Sequence, residues 1–387
     1  MAASRRWRNL GVAAGAATAG LFALFDLYQW AVAYGSDRFH NDFTFYYAAA
    51  KIGLAHGWAS IYDLPLQQAQ LDAMGSGITI AQLARYISPP PVAWTALPLT
   101  ALPYPVAYWT WSVLLLAALG LAWYVAAPDA SLGRLIYLAA AVGWLPVIYG
   151  LQLGQPGLFV ATGVAVSCAL IRAQKPVWAG VALGTLALKP QLAFLVPLAL
   201  LAARQDRAFL GSVLALGVLA VASAIALGPD GISTYLSRLS FAATVPVNRD
   251  LTLATLLGGG TVTRASQAAI ALGSLVLVYR LRHRGPEWIY IPALVGGMLA
   301  TPYLHLDDLV MLGLAAWMCL RTQTPRWTWV YVLAAVLVIE GEPVWGPVPV
   351  LLAELGALGL ISAAALRRRR VPPLPAHETP RPLPRLS

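Results

Sequence analysis

A few ionisable residues interrupt a strongly apolar chain, and their positions indicate where chemistry could take place. Asp42 follows a long apolar run and begins a helical pattern. A carboxylate there is either favoured by the helix macrodipole or acts as a general base that takes a proton from a hydroxyl group. Lys189 lies between two apolar stretches, directly before Pro190. Its ammonium group either extends to the membrane surface or binds a phosphate as a compact point charge.

Other polar residues stand at the ends of apolar runs far apart in the sequence. They are Gln155, Asn248, Arg249, His305, Asp307 and Asp308. Gln155 belongs to a turn or forms a hydrogen bond with a hydroxyl-rich ligand, and Arg249 is a second candidate for a phosphate. His305 either caps the next helix or donates to a sugar hydroxyl or phosphate. Together with Asp307 and Asp308 it also makes a weaker case for a divalent metal site.

Composition identifies the kind of protein that holds these residues. Of the 387 residues, 59% are hydrophobic and 11% are charged, whereas soluble domains have about 45–50% and about 25%. The mean hydropathy is +0.67. The chain is therefore expected to be an all-α polytopic membrane protein rather than a soluble enzyme. The net charge of +10 does not indicate nucleic acid, because the basic residues form short clusters between apolar runs.

Apolar runs predict about twelve transmembrane helices in a single membrane domain, residues 1–370. The first run is long enough to span and is expected to remain uncleaved. The run that contains Lys189 is expected to break into two short helices, because Pro190 removes a backbone donor. The predicted spans are residues 10–32, 104–127, 133–150, 156–171, 176–188, 191–203, 208–227, 264–282, 288–302, 307–320, 327–341 and 346–366.

This topology assigns most basic residues to one side of the membrane. The exceptions among the 26 Lys and Arg residues are Arg38, Lys51, Arg85, Lys189, Arg238, Arg249 and Arg264. The bias predicts that both termini are cytoplasmic and that the two long segments, 34–103 and 228–263, are outside. It also brings Asp42, Lys189 and His305 to the same outer face. The Pro-rich tail, residues 371–387, is expected to be disordered and cytoplasmic.

The first outer segment contains further helical patterns. Residues 42–56 have aromatic residues and alanines at helical spacing, followed by Gly57 as a stop. We expect an amphipathic helix that lies on the membrane surface. Residues 64–74 predict a second short helix, and residues 92–103 form an apolar piece that is too short to span.

Several short motifs follow one another along the chain, among them residues 41–50 (NDFTFYYAAA), 61–63 (IYD), 89–91 (PPP), 154–156 (GQP), 188–191 (LKPQ) and 301–305 (TPYLH). Over roughly residues 10–320, their order resembles glycosyltransferase family 87, a group of membrane mannosyltransferases that use polyprenyl-phosphate sugars, and their relatives. The resemblance implies a C-type glycosyltransferase (GT-C) fold and transfer of a hexose, often mannose, with inversion at the anomeric carbon.

The resemblance also implies roles for individual residues. An acidic residue in the first outer loop serves the acceptor, and this role maps onto Asp42. Lys189 and Arg249 are expected to stabilise the departing phosphate, and Tyr46 and Tyr62 join Gln155, Asn248 and His305 as candidate substrate contacts. The donor is a lipid-phosphate sugar, the acceptor is a lipid or a glycan, and no cofactor is expected. A divalent metal on Asp307 and Asp308 is not favoured.

Two other functions stay open at this point. A transporter or lipid flippase has a similar number of spans, although its ionisable residues usually lie near the membrane midplane. A polysaccharide polymerase or ligase is also polytopic with an outer site, although such enzymes have larger basic loops. The expected location is a bacterial-type plasma (inner) membrane.

Overall fold

A computed structural model describes residues 2–81, 85–128, 133–322 and 324–366, with the backbone alone for residues 2–10 and Val12. These ranges contain α-helices and short 3₁₀ turns and no β-strand, which confirms the all-α prediction. The predicted tail 371–387 lies outside the described residues. The α-helices are α1 Ala2–Ser36, α2 Asp42–His56, α3 Leu64–Ala73, α4 Pro90–Ala96, α5 Tyr104–Ala126, α6 Gly133–Val142, α7 Leu145–Leu153, α8 Gly157–Arg172, α9 Pro176–Ala182, α10 Leu195–Ala202, α11 Asp206–Ala242, α12 Ala254–Leu257, α13 Thr261–Leu281, α14 Glu287–Ala300, α15 Val310–Arg321, α16 Trp327–Glu340, α17 Glu342–Trp345 and α18 Pro347–Leu366.

Within the described ranges, five helical segments are long and apolar enough to cross a membrane. They lie in α1, α5, α11, α13 and α18, and the pair α6–α7, bent by 54°, makes a sixth if it counts as one span. The chain is thus a multi-pass membrane protein. Helices α8, α14 and α16 are apolar but shorter. A helix of 14 residues such as α14 covers about 21 Å of a hydrocarbon core about 30 Å thick, so twelve spans would require such short helices to reach across as well.

The chain breaks at Lys189, as the sequence predicts. Helix α9 passes into a 3₁₀ turn, Leu183–Ala187, and a second turn follows at Pro190–Leu192 before α10 begins. The Lys189 backbone leaves the helical region, with φ −152° and ψ 75°, because helical angles are disfavoured for the residue before a proline. The break leaves the Lys189 side chain between two helical segments rather than along one.

Helix α2 begins and ends where the sequence predicts, at Asp42 and before Gly57, whose φ of 86° suits glycine. The prediction that this helix is amphipathic and lies on the membrane surface is wrong. Every residue from Phe43 to Ala50 is buried, because helices α3 and α4 and the neighbouring 3₁₀ turns pack against α2. Helix α2 is therefore a core element.

The second long segment, predicted as an outer loop at 228–263, is helical in its first half. Helix α11 bends at Gly228, which has φ 60° directly before Pro229, and continues to Ala242. The bent part packs onto the first long segment. A Cβ at Gly231 would lie 3.0 Å from Ala59 Cα, and the ring of Tyr235 stacks on that of Tyr62 with centroids 4.8 Å apart.

A group of charged residues joins the ends of α5, α8, α14 and α15. We call Arg172, Glu287 and Arg321 the arginine–glutamate cluster. Arg172 Nη1 contacts Glu287 Oε1 at 2.7 Å, and Arg321 Nε lies 3.9 Å from the same oxygen. Both arginines also donate to the carbonyl oxygen of Val125, at 2.7 and 3.0 Å. The cluster holds the four helix ends together.

Candidate active site

The N-terminus of α2 positions Asp42. Asn41 is extended and caps the helix, with its Oδ1 accepting from the Thr44 backbone N at 3.1 Å. Tyr104 Oη donates to the same oxygen at 3.1 Å, which anchors the cap to α5. Asp42 is consequently held in the first helical turn, where the helix macrodipole favours a negative charge. Unlike its neighbours, Asp42 keeps part of its surface exposed.

The turn between α7 and α8 brings Gln155 to Asp42. Gly154 ends α7 in the left-handed conformation, and a Cβ there would lie 2.8 Å from the Cβ of Phe43. Only glycine allows this turn to approach α2 so closely. Gln155 Nε2 donates to Asp42 Oδ2, while Gln155 Oε1 accepts from Tyr46 Oη at 3.2 Å. Tyr46 and Gln155 thus orient the Asp42 carboxylate.

Lys189 binds both of the acidic residues that precede α15. Its Nζ lies 2.7 Å from Asp307 Oδ2 and also forms an ion pair with Asp308 Oδ1. The Asp307 Cβ would lie 3.4 Å from a Cβ at Gly150, so α7 passes close to this pair. We call Asp42, Gln155, Lys189, Asp307 and Asp308 the carboxylate–lysine cluster. It lies where α8 and α15 begin, and the arginine–glutamate cluster lies where they end.

The carboxylate–lysine cluster has three carboxyl groups and one ammonium group, and this imbalance shifts their pKa values. Desolvation and the Asp307 charge raise the pKa of Asp42 to about 6, against the opposing effects of Lys189 and Gln155. Burial and Asp307 raise the pKa of Asp308 to about 7. Burial opposes the charge on Lys189, but the two carboxylates outweigh it and raise the lysine pKa. Two carboxyl groups therefore titrate near neutrality.

The second long segment supports this site through Asn248. His305 Nε2 donates to Asn248 Oδ1 at 2.7 Å, and Asn248 Nδ2 donates to the Ala242 carbonyl at 2.6 Å. The backbone of His305 donates to Asp308 Oδ2 at 2.9 Å. Asn248 is fully buried, so its observed part is to hold His305 in place. Burial lowers the pKa of His305.

Two predicted contacts lie apart from the cluster. Tyr62 is fully buried, and its ring stacks against Tyr86 and Tyr235. Its hydroxyl donates to the Ser88 carbonyl at 2.8 Å. Its contact with substrate stays a prediction. Arg249 is half-buried beside Asn248, and its guanidinium has no carboxylate within 4.0 Å among the described residues. Its role in binding phosphate stays a prediction.

Two tyrosines near the cluster were not found from the sequence. Tyr303 lies within electrostatic range of Lys189 and of all three carboxyl groups, and its ring is 4.9 Å from that of His305. Tyr149 is similarly close to Asp42 and Asp307 and is 38% exposed. Tyr303 belongs to the motif 301–305, which could have indicated it as a site residue. Tyr149 lies in an apolar run that contains no such motif.

The possible metal ligands have a different partner in this structure. Asp307 and Asp308 both bind the Lys189 ammonium, which occupies the space between them. In the described part of the chain, no group of three or more His, Cys, Asp or Glu residues has the geometry to hold a metal ion.

The fold and this site define a multi-pass membrane protein with a cluster of titratable groups at one end of its helices. Residues 86–339 match the sequence profile of glycosyltransferase family 87. The match covers more than half of the chain, which therefore belongs to this family and is a membrane glycosyltransferase. Searches of curated proteins and of solved structures returned no match. The matched stretch includes Gln155, Lys189 and Asp308 but begins after α2, so the family match does not include Asp42.

Proposed function

We propose that this protein transfers a hexose, with mannose the first candidate, from a polyprenyl-phosphate donor to a hydroxyl of a lipid or glycan acceptor. The carrying observation is the contrast among the three carboxyl groups of the carboxylate–lysine cluster. Asp307 and Asp308 are buried and bound to Lys189, whereas Asp42 is partly exposed and held by Gln155 alone. Asp42 is thus the carboxylate that an acceptor can reach.

In the proposed reaction, Asp42 is the general base. It takes the proton of the acceptor hydroxyl while the hydroxyl oxygen forms a bond to the anomeric carbon of the sugar. The bond from that carbon to the phosphate oxygen breaks, and the polyprenyl phosphate leaves with the electron pair, which inverts the anomeric centre. A base with a pKa of about 6 is mostly ionised at neutral pH and still accepts a proton readily.

The departing phosphate requires cationic partners. Lys189 has three N–H donors and directs two of them to Asp307 and Asp308, which leaves one for a phosphate oxygen. Arg249 supplies a second cation beside Asn248. A fixed positive charge aimed at a developing anion stabilises the transition state more than the ground state.

An apolar cavity supports a lipid-linked donor. It has a volume of about 230 Å³ and is lined almost wholly by apolar side chains, including Leu119, Val147, Leu158, Val310 and Trp317. Val310 follows the Asp307–Asp308 pair directly, so the cavity begins beside the carboxylate–lysine cluster. An isoprenoid chain would bury its surface there while its phosphate faces Lys189.

The proposed topology places the carboxylate–lysine cluster at the outer face of a bacterial-type plasma membrane. Arg172 and Arg321 lie at the opposite ends of α8 and α15, and basic residues mark the cytoplasmic side. The proposal includes a GT-C-like fold with about twelve spans and both termini in the cytoplasm, which requires the short helices α8, α14 and α16 to cross.

The test is sugar transfer by purified protein in nanodiscs. Radiolabelled polyprenyl-phosphate mannose would be offered with a panel of lipid and glycan acceptors, with and without EDTA. We expect transfer by the wild type and a loss of at least about 100-fold in Asp42→Asn, the lower range for removing a general base. Asp37→Asn is the matched control, because Asp37 is an exposed carboxylate that forms an ion pair with His40 and accepts from the backbone of Phe39, away from the cluster.

Three results would contradict the proposal. Full turnover by a folded Asp42→Asn variant would remove Asp42 from the role of base. Movement of the labelled lipid across sealed vesicles without transfer would favour the transporter. Loss of transfer with EDTA would show that a metal takes part in the reaction. If mannose alone fails, transfer from other polyprenyl-phosphate hexoses would correct the sugar.

A further inference from the structure

A second cavity lies between α14, α15, α16 and α18. Its volume is about 320 Å³, and most of its wall is apolar, with Trp288, Val295, Leu312, Val336 and Ile361 among the lining residues. Volumes of this order hold small ligands in other proteins. The Trp144 ring, which packs against Gly313, lies between this cavity and the smaller one beside Val310.

Two polar groups in this apolar wall have no hydrogen-bond partner in the described part of the chain. Glu354, in the first half of α18, is 3% exposed, and both of its carboxyl oxygens are unpaired. The indole Nε1 of Trp144 is also buried and unpaired. Two other polar residues of the wall have partners: Tyr331 Oη donates to the Ala353 carbonyl, and Arg284 Nη2 donates to the Ala364 carbonyl at 2.8 Å.

The chemistry of these two groups defines the ligand. An isolated carboxylate in an apolar site is so unfavourable that the carboxyl group takes up a proton instead. The neutral acid of Glu354 then offers an O–H, and Trp144 offers an N–H. Both are donors, and a buried donor without a partner destabilises the protein. A ligand that satisfies both must present an acceptor oxygen inside an otherwise apolar cavity.

We propose that this cavity binds a single-chain neutral lipid whose one polar group, a hydroxyl or carbonyl oxygen, accepts hydrogen bonds from Glu354 and Trp144. The hydrocarbon chain lies against the apolar wall. An isoprenoid chain of the donor would leave both groups unpaired, so the occupant is a different lipid. Glu354 lies beyond residue 339, where the family match ends, whereas Trp144 and the walls formed by α14, α15 and α16 lie within it.

Competition labelling tests this proposal without using sugar transfer. Purified protein in detergent would be labelled with a photoreactive fatty alcohol, and the modified peptides would be mapped. Hexadecanol and hexadecane would then compete, because they differ only in the hydroxyl group. We expect labelling of α16 or α18, and we expect hexadecanol to compete about fivefold better, the value of one ordinary hydrogen bond.

Two variants of Glu354 make the result decisive. Glu354→Gln keeps a donor and should keep the preference for hexadecanol, whereas Glu354→Leu should reduce that preference to what the Trp144 indole alone supplies. Glu354→Leu should also raise the melting temperature of the delipidated protein, because it removes an unpaired polar group. The proposal fails if Glu354→Leu keeps the wild-type preference, if wild type has none, or if neither competitor displaces the label. Because the readout is labelling, it is independent of whether the protein transfers mannose.

Discussion

The two ionic clusters of this protein lie at opposite ends of the same helices and are built differently. In the arginine–glutamate cluster, one carboxylate faces two guanidinium groups, and the Val125 carbonyl accepts from both arginines. In the carboxylate–lysine cluster, three carboxyl groups share one ammonium group, and Asp42 keeps an open side.

The difference separates a structural ion cluster from one that is ready for a ligand. In the arginine–glutamate cluster, both guanidinium groups share the Glu287 carboxylate and the Val125 carbonyl, so acceptors within the protein engage the two cations. The carboxylate–lysine cluster has more acid than base, and its pKa values move toward neutrality as a result. Groups of this kind occur at functional sites because they can gain or lose a proton near working pH.

The sharpest way to break the carboxylate–lysine cluster is to remove its ammonium group. Lys189→Met leaves Asp307 and Asp308 buried without a cation, and breaking a buried pair costs about 3–5 kcal/mol. We expect a lower yield and a large fall in melting temperature, measured by scanning fluorimetry in detergent. A residue that bound only phosphate would leave stability unchanged.

A triple substitution checks that this loss comes from the unpaired carboxylates. Lys189→Met combined with Asp307→Asn and Asp308→Asn should recover most of the stability without recovering transfer. If the combined variant is as unstable as Lys189→Met, the lysine stabilises the fold through packing of its carbon chain instead.

A substitution in the arginine–glutamate cluster should lower the stability of the protein and leave its transfer activity unchanged. Glu287→Ala leaves two arginines near each other without their shared carboxylate. Because the Arg172 side chain is 25% exposed, water solvates it in part. We therefore expect the free energy of unfolding to fall by about 2 kcal/mol. Transfer per folded molecule, measured at a temperature well below the melting point, should equal that of wild type. A selective loss of turnover would show that the cluster does more than join helix ends.

A smaller effect is expected from Gln155, because it acts on the base and not on the reacting atoms. Gln155→Ala removes one hydrogen bond to Asp42, worth about 1 kcal/mol, and should lower kcat about fivefold. That hydrogen bond favours the ionised carboxylate, so its loss raises the pKa of Asp42. In wild type, kcat/KM should fall as the pH drops through about 6, and in the variant this fall should begin at a higher pH.

The pH profile provides the control for this prediction. Gln155→Glu places a second carboxyl beside Asp42 and should move the acid limb further in the same direction. An acid limb that stays in place in both variants would show that the group titrating near pH 6 is not Asp42.

Local signals predicted the helix boundaries and breaks well. Gly57 marks the end of α2, and Pro190 accounts for the break at Lys189, because both residues restrict the backbone directly. The gathering of Asp42, Lys189 and His305 followed from topology, since each stands at the same side of an apolar run. These inferences needed only short stretches of sequence and the thickness of a membrane.

Contacts between residues far apart in the sequence could not be predicted from these local signals. The pairing of Lys189 with Asp307 joins residues that are 118 positions apart, and nothing near Lys189 indicates it. The burial of α2 depends on α3 and α4, and that of Tyr62 depends on α11. The stretch from Phe43 to Ala50 is therefore buried although its sequence seemed amphipathic. The bend at Gly228 did carry a local signal in Gly228–Pro229, but the apolar run ending there was taken for the end of the helix.

That bend has a consequence for how the protein is made. The ribosome completes the segment carrying Asp42 long before it reaches Gly231 and Tyr235, which cover that segment in the finished fold. Early in biogenesis, the face around Ala59 and Tyr62 has no cover and is open to proteases and chaperones. A bulky side chain at Gly231 should therefore appear first as reduced accumulation in the membrane, with catalysis normal in the molecules that survive.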